Sequence, residues 1–218
     1  MVAKKKINSA KLIALYMDYV LEHGKKPHSV YQFSKENNFD ETQFYQFFGS
    51  FDTLEKSIFE TFFKHTANTL EKSDSYIDFG AREKLLAFYF TFFELLTANR
   101  SYVMFALGNH KKPMHNLLVL QKFRKKFKHY VHELPIETLD LKSEKLESVQ
   151  NKGIQESAWM QLLVTLKFWM DDDSKGFEKT DLFIEKSVNA SFDLMSVQPV
   201  NSLIDLGKFL IKEKLQMS

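Results

Sequence analysis

Apolar side chains recur at helical spacing through most of this chain, and the residues that interrupt them stand alone rather than in clusters. Leu12, Ile13, Leu15, Tyr16, Tyr19 and Val20 form one such run; Leu85, Leu86, Phe88, Tyr89, Phe92, Phe93, Leu95 and Leu96 form another. Such runs follow the period of about 3.6 residues that places side chains on one helix face, not the period of two that a strand requires. Seven glycines and four prolines are too few to turn an all-β chain of 218 residues. The pattern predicts an all-α fold, with no internal repeat and no low-complexity segment.

Stop and start signals divide the pattern. A first helix begins at Ser9 and ends at Gly24, a residue suited to the left-handed position beyond a helix C-terminus. Ser29 is a good N-cap for a short second helix carrying Val30 and Phe33, and the Asn37-Asn38 pair marks a turn after it. Asp40 caps a third helix over residues 41–48, and Gly49-Ser50 ends it and starts a fourth that runs to about Lys72. Two short helices joined by a tight turn, between longer ones, form the tri-helical layout that sets a helix in a DNA groove. This organisation predicts a head over residues 1–52 and a helical body over 53–218.

In the body, residues 73–80 read as a loop and 85–96 as a helix apolar nearly all round, hence central. Residues 99–107 form a shorter helix, and 114–133 a single basic amphipathic one ended by Pro135. Residues 136–151 are polar and read as an exposed connection with at most a turn of helix. Residues 153–170 and 177–195 are two strong helical patterns joined by a short polar link, which makes them antiparallel neighbours. A last amphipathic helix follows Pro199.

The absence of cysteine excludes disulfides, thiolate nucleophiles and thiolate zinc sites. His110 and His115, and His129 with His132 and Glu133, lack a fuller ligand motif, so no metal and no cofactor are expected. No Gly-rich phosphate loop or Ser/His/Asp arrangement is legible, and the expectation is a protein that is not an enzyme. Lys4, Lys5 and Lys6 are not followed by an uninterrupted apolar segment, and no later stretch is long enough to span a bilayer, which predicts a cytoplasmic protein without an integral membrane segment. A net charge of +2 does not by itself indicate nucleic acid, so a DNA-binding surface must rest on local features. The basic run 122–128 reads as a solvated helix face, with a lipid surface as the alternative.

Gly24, His28-Ser29-Val30, Phe33-Ser34, Asn37-Asn38-Phe39, Asp40, Phe44-Tyr45, Phe47-Phe48, Ser50-Phe51 and Leu54 keep the spacing of the DNA-binding head of the TetR family, which this segment resembles without a gap. Phe47 stands where that family has histidine, and Phe51 where it has lysine. The resemblance implies a helix-turn-helix head whose DNA contacts come from Ser29, Thr42, Gln43, Tyr45 and Gln46, with Lys4, Lys5 and Lys6 as a basic arm. Gln43 and Gln46 are of the type that reads adenine edges, and Thr42 and Tyr45 can reach phosphate. Asp40 and Glu41 make the start of that helix acidic.

The resemblance also implies an apolar small molecule held in the body and a homodimer. Tyr89, Phe92, Phe93, Met104, Phe105, Trp159, Leu162, Leu166 and Trp169 are the candidate pocket residues, with a filled core as the alternative. Phe183, Ile184, Val188 and Phe192 are the candidate dimer contacts. The stretch 166–180, in which a helix ends in Asp172-Asp173-Ser174 and Thr180 follows, is also similar to TetR-like proteins that bind isoprenoid lipids in ubiquinone biosynthesis. Two functions are therefore open: a DNA-binding regulator answering to an apolar ligand, or a lipid-binding accessory protein whose head no longer binds DNA.

Overall fold

A computed structural model describes residues 7–108, 113–138 and 143–195. Its described residues are helical throughout: α1 (Ser9–His23), α2 (Val30–Glu36), α3 (Glu41–Tyr45), α4 (Phe51–Leu70), α5 (Asp74–Ile77), α6 (Ala81–Ala98), α7 (Arg100–Leu107), α8 (Pro113–Val119), α9 (Gln121–Glu133), α10 (Glu144–Asp171) and α11 (Glu178–Met195). The fold is all-α, as the periodicity predicts. The helix expected after Pro199 lies outside the described residues.

Compactness divides the chain into two units, one from the described parts of Met1–Lys72 and Thr91–Phe127, the other from those of Ser73–Phe90 and Lys128–Ser218. The expected boundary at residue 52 falls inside the first unit, where α1 packs on α7 and α4 on α8.

In the first unit, local chemistry sets the helix ends. Asn8, Ser29, Asp40 and Ser50 each accept a backbone N–H from the first turn of the helix that follows. Gly24 closes α1 in the left-handed conformation at φ 64°. Asn38 takes the same conformation at φ 57° between α2 and α3. An asparagine bears this at modest cost and a β-branched residue does not. Asn38→Gly is therefore expected to leave the urea midpoint unchanged or raised, whereas Asn38→Val should cost about 1–2 kcal/mol.

Phe33 sits at the centre of the head, fully buried, with the rings of Tyr16, Tyr19, Phe39, Phe44 and Phe51 all within 6.5 Å and near-perpendicular to it. Each edge-to-face pair contributes about 0.5–1.5 kcal/mol beyond area burial. Val30, Phe39, Phe44, Phe48 and Leu54 complete this core. Phe51, at the family's lysine position, also stacks on Tyr16 at 5.4 Å. A cation is thus replaced by a core ring.

In the second unit, α10 and α11 run antiparallel, with Phe168 stacked on Phe183 at 4.6 Å and Ser191 donating to Gln161 at 3.1 Å. Arg82 of α6 bonds Asn189 and Asp193 of α11, and Lys128 of α9 pairs with Glu156 of α10. Two elements differ from expectation. The basic helix is broken at the buried Leu120 into α8 and α9, and α10 begins at Glu144, well before residue 153. The early turns of α10 bury almost nothing, so they carry no apolar periodicity. Glu144 and Glu147 instead favour the helix through its N-terminal dipole.

The link between α10 and α11 is a 3-10 turn, Lys175–Phe177, with Gly176 and Phe177 both at positive φ. Asp172 is buried there and accepts the backbone N–H and hydroxyl of both Ser174 and Thr180, at 2.6–2.9 Å. Ser174 Oγ accepts the Lys179 N–H. Asp172 and Ser174 thus cap the first turn of α11 from outside it. The Asp-x-Ser link and the following Thr, which carry the second resemblance, have this structural role.

Candidate functional site

The residues expected to meet DNA gather around α3. Thr42, Tyr45 and Gln46 are exposed, and Tyr45 and Gln46 follow Thr42 by three and four positions, so each lies on its face. Tyr45 is 53% exposed, its ring edge-on to buried Phe44 at 5.5 Å, which anchors the side chain from below. Thr42 donates its hydroxyl to Asp40 at 3.0 Å, tying it to the cap of its own helix. Ser29 is half-buried and serves as the α2 cap, accepting the Gln32 N–H at 3.1 Å. Gln43 is half-buried, and its Oε1 accepts the Ile7 backbone N–H at 2.9 Å. Lys4, Lys5 and Lys6 lie outside the described residues.

The charge around α3 is mixed. Asp40 and Glu41 open the helix, and no cation occurs within Glu41–Tyr45. Of the nearby lysines, Lys26 is bound to Glu55 at 2.7 Å and lies 3.7 Å from Asp52. Lys25 and Lys35 are exposed and form no ion pair among the described residues. Phe47, at the family's histidine position, is 41% exposed.

Glu55 was not singled out by sequence reasoning. Its carboxylate, on the second turn of α4, is buried and accepts both the Tyr16 hydroxyl at 2.5 Å and Lys26 Nζ. Burial first, and the Glu55 charge second, push the Tyr16 phenol far up, so it remains a donor. These contacts connect α1, the α1–α2 loop and α4. A glutamate on an otherwise apolar face, between Leu54 and Ile58, is the signal that could have marked it.

The second unit holds a cavity of about 410 Å³ between α6, α9, α10 and α11. Leu85, Val131, Ile136, Ile154, Ala158, Phe192, Leu194 and Met195 supply its apolar wall; Gln150, Ser157, Gln161 and Ser191 are its polar groups, and among the described residues no charged side chain lines it. A shallower depression of about 250 Å³ shares Ile136, Phe192 and Met195 and adds Arg82, Glu83 and Glu137. Arg82 lies over the Phe192 ring at 5.6 Å. Such an apolar cavity with few polar groups is suited to a neutral, mainly apolar molecule.

The nine residues expected at a pocket are placed differently. Tyr89, Phe92, Phe93, Trp159, Leu162, Leu166 and Trp169 are buried, Phe105 is half-buried and Met104 is partly exposed. Phe92 stacks on Phe123 at 4.8 Å, and Trp169 meets Phe177 at 6.1 Å. None of the nine lines the cavity described above. Gln161, a polar residue between Trp159 and Leu162, was the available signal for it.

Of the expected dimer contacts, Ile184 and Val188 are wholly buried within the protomer. Phe183 and Phe192 are half-buried, the second at the cavity. The exposed apolar stripe of this region is Met160, Val164 and Phe168 on α10 with Leu182 on α11. Among the described residues, no group of three or more His, Asp or Glu is placed to hold a metal ion, and no helix is long and apolar enough to cross a membrane.

The family model of the tetracyclin repressor-like C-terminal domain matches residues 84–210. A search of curated proteins finds no match to the chain. The matched segment is more than half of the sequence and contains α7 to α11, complementing the head pattern between Gly24 and Leu54. The chain belongs to the TetR family.

Proposed function

We propose that this protein is a homodimeric, DNA-binding transcriptional regulator whose affinity for its operator is set by an apolar small molecule. Residues 1–52 act as the DNA-binding domain and 53–218 as the ligand-binding and dimerisation domain. The observation that carries this reading is the face of α3: Thr42 and Tyr45 stand exposed on a short helix held by a ring-packed core, with Gln46 exposed at its C-cap. That is the arrangement a groove-reading helix needs.

The cavity between α6, α9, α10 and α11 is the ligand site, and its uncharged lining favours a neutral ligand. Self-association uses the stripe of Met160, Val164 and Phe168, spaced four residues apart on α10, with Leu182 and Phe183 of α11. Ile184 and Val188 support it from beneath. Two copies of this helix pair form a four-helix interface, and two heads then address half-sites in successive major grooves. A ligand that favours one spacing of the heads changes operator affinity by its preference for that state.

The test is binding of the purified protein to the DNA upstream of its own coding sequence at several salt concentrations. Dissociation constants below about 1 μM at moderate salt, with a dimer by sedimentation, are expected. Absence of binding together with a co-purified isoprenoid in native mass spectrometry would instead favour a lipid-presenting accessory protein.

A further inference from the structure

Gln161 is half-buried at the wall of the cavity of about 410 Å³, and its amide is bonded across the seam between α10 and α11. A primary amide offers two N–H donors and two acceptor lone pairs. Nε2 donates to Ser187 Oγ at 3.3 Å; Ser187 gives its own hydrogen to the Ile184 carbonyl, so it accepts from the amide. Oε1 accepts from Ser191 Oγ at 3.1 Å. Among the described residues these bonds take one donor and one acceptor site of Gln161, and the other donor and acceptor are uncommitted.

Ser191 makes the acceptor side adjustable. Its Oγ lies 3.1 Å from Gln161 Oε1 and 2.9 Å from the Ser187 carbonyl, and it has a single hydrogen to give. A second donor arriving at Oε1 therefore leaves Ser191 with a carbonyl of its own helix to bond. The amide can meet an incoming donor or acceptor without stranding a neighbour.

The rest of the cavity restricts what else such a molecule can carry. Leu85, Val131, Ile154 and Ala158 require an apolar body. Arg82, in the adjoining depression, is already bonded to Asn189 and Asp193. A carboxylate would enter without a counter-charge, which costs far more than burying a hydroxyl that is hydrogen-bonded. At about 30 Å³ for a group the size of water, the space holds roughly a dozen non-hydrogen atoms.

We propose that the cavity takes a neutral aliphatic molecule with one hydroxyl, of the size of a ten-carbon alcohol, and that Gln161 is its specificity-determining residue. Nε2 donates to the hydroxyl oxygen of the guest, and Oε1 accepts its hydrogen. The proposal rests on the reading of the cavity as the ligand site given above.

The experiment loads the purified full-length protein with the neutral dye N-phenyl-1-naphthylamine. Displacement by decan-1-ol, by its ether isomer 1-methoxynonane and by ionised decanoate is then titrated in the wild type, Gln161→Met and Ser191→Ala. The ether accepts a hydrogen bond but has none to give, so the wild type should bind the alcohol about five- to tenfold more tightly. Decanoate should bind at least about tenfold more weakly than the alcohol. Gln161→Met keeps the length of the side chain and removes its donors, and should bring alcohol and ether to within about twofold of each other. Ser191→Ala leaves the amide intact and removes the competing donor at Oε1, so the preference for the alcohol should persist or increase.

Equal affinity for alcohol and ether in the wild type, or a preference that survives in Gln161→Met, would overturn the role of Gln161. Loss of the preference in Ser191→Ala would place the contact on Ser191 instead, with the same consequence. Decanoate as the tightest of the three would overturn the ligand class. A dye displaced equally by all three would leave the cavity as a ligand site and remove only this assignment, whereas failure of the dye to bind at all would remove both.

Discussion

Tyr16→Phe is expected to destabilise the protein by about 2–3 kcal/mol, although it removes a single oxygen. The Tyr16 hydroxyl donates to the Glu55 carboxylate at 2.5 Å, and Glu55 is 2% exposed. Without that donor a buried charge keeps only Lys26, whose side chain is 37% exposed and whose ion pair is therefore screened, contributing about 1 kcal/mol or less. Glu55→Leu should cost a similar amount for the opposite reason, since it strands a buried phenol. The double variant Tyr16→Phe/Glu55→Leu removes both polar partners and should lie well below the sum of the two, with a coupling of about 2 kcal/mol. Urea unfolding of the four proteins measures this; additive losses, or single losses below about 0.5 kcal/mol, would show that the pair does not hold α1 to α4.

The same phenol gives a pH signature. Burial, followed by the Glu55 charge, raises its ionisation above the ordinary value of 10.0. A group whose folded value is raised contributes stability that is complete below the unfolded value and is lost as pH rises through the folded one. Wild-type stability should therefore decline above about pH 10, and Tyr16→Phe should decline less steeply there. Tyr89, Tyr102 and Tyr130 are also pushed up by burial, so part of the alkaline loss persists in the variant.

The parts of the fold legible in the amino-acid order are those determined by neighbours in the chain. Ser29, Asp40, Ser50, Gly24 and Asn38 act through hydrogen bonds or dihedral angles within a few residues, and each takes the expected role. The packing role of Phe33 followed from its place on a short amphipathic helix. What depends on the spacing between distant elements was not legible. An apolar residue at helical spacing satisfies a filled core and a cavity wall equally well, so the pattern does not tell Trp159 and Leu162, which are buried away from this cavity, from Leu85 and Ile154, which line it. Likewise Ile184 and Val188 have the spacing of an interface but face the interior, while the outward stripe of Met160 and Val164 lies between buried neighbours on α10. The tie between Gln43 and Ile7 joins segments that no local pattern relates.

Asp172→Asn should cost about 3 kcal/mol, despite lying in a link whose three consecutive aspartates suggest solvation. Asp171 pairs with Lys167 and Asp173 with Lys179, both exposed, whereas Asp172 points inward. Burial alone would raise its carboxyl, and is the largest single influence. The donors of Thr180 and Ser174, side chain and backbone together, outweigh it and hold the carboxyl well below the usual carboxylate range. An asparagine has one acceptor oxygen and an amide group that finds donors where it needs acceptors, so it cannot reproduce these bonds. The depressed value means that this stabilisation is present above the unfolded value of 3.8 and is lost as pH falls below it towards the folded value. Asp181 acts the other way: burial first, then the charges of Asp172 and Glu178, raise its carboxyl, so Asp172→Asn also relieves part of that repulsion and the net loss is moderated. Unfolding midpoints of wild type and Asp172→Asn should therefore differ by a constant amount from about pH 7 to pH 5 and converge below about pH 4. A gap that persisted unchanged to pH 2 would mean that shape, not the ionised carboxylate, holds α10 to α11. In that case Thr180→Val, which keeps the shape of residue 180 and removes its hydroxyl donor, should be nearly silent instead of costing about 1 kcal/mol.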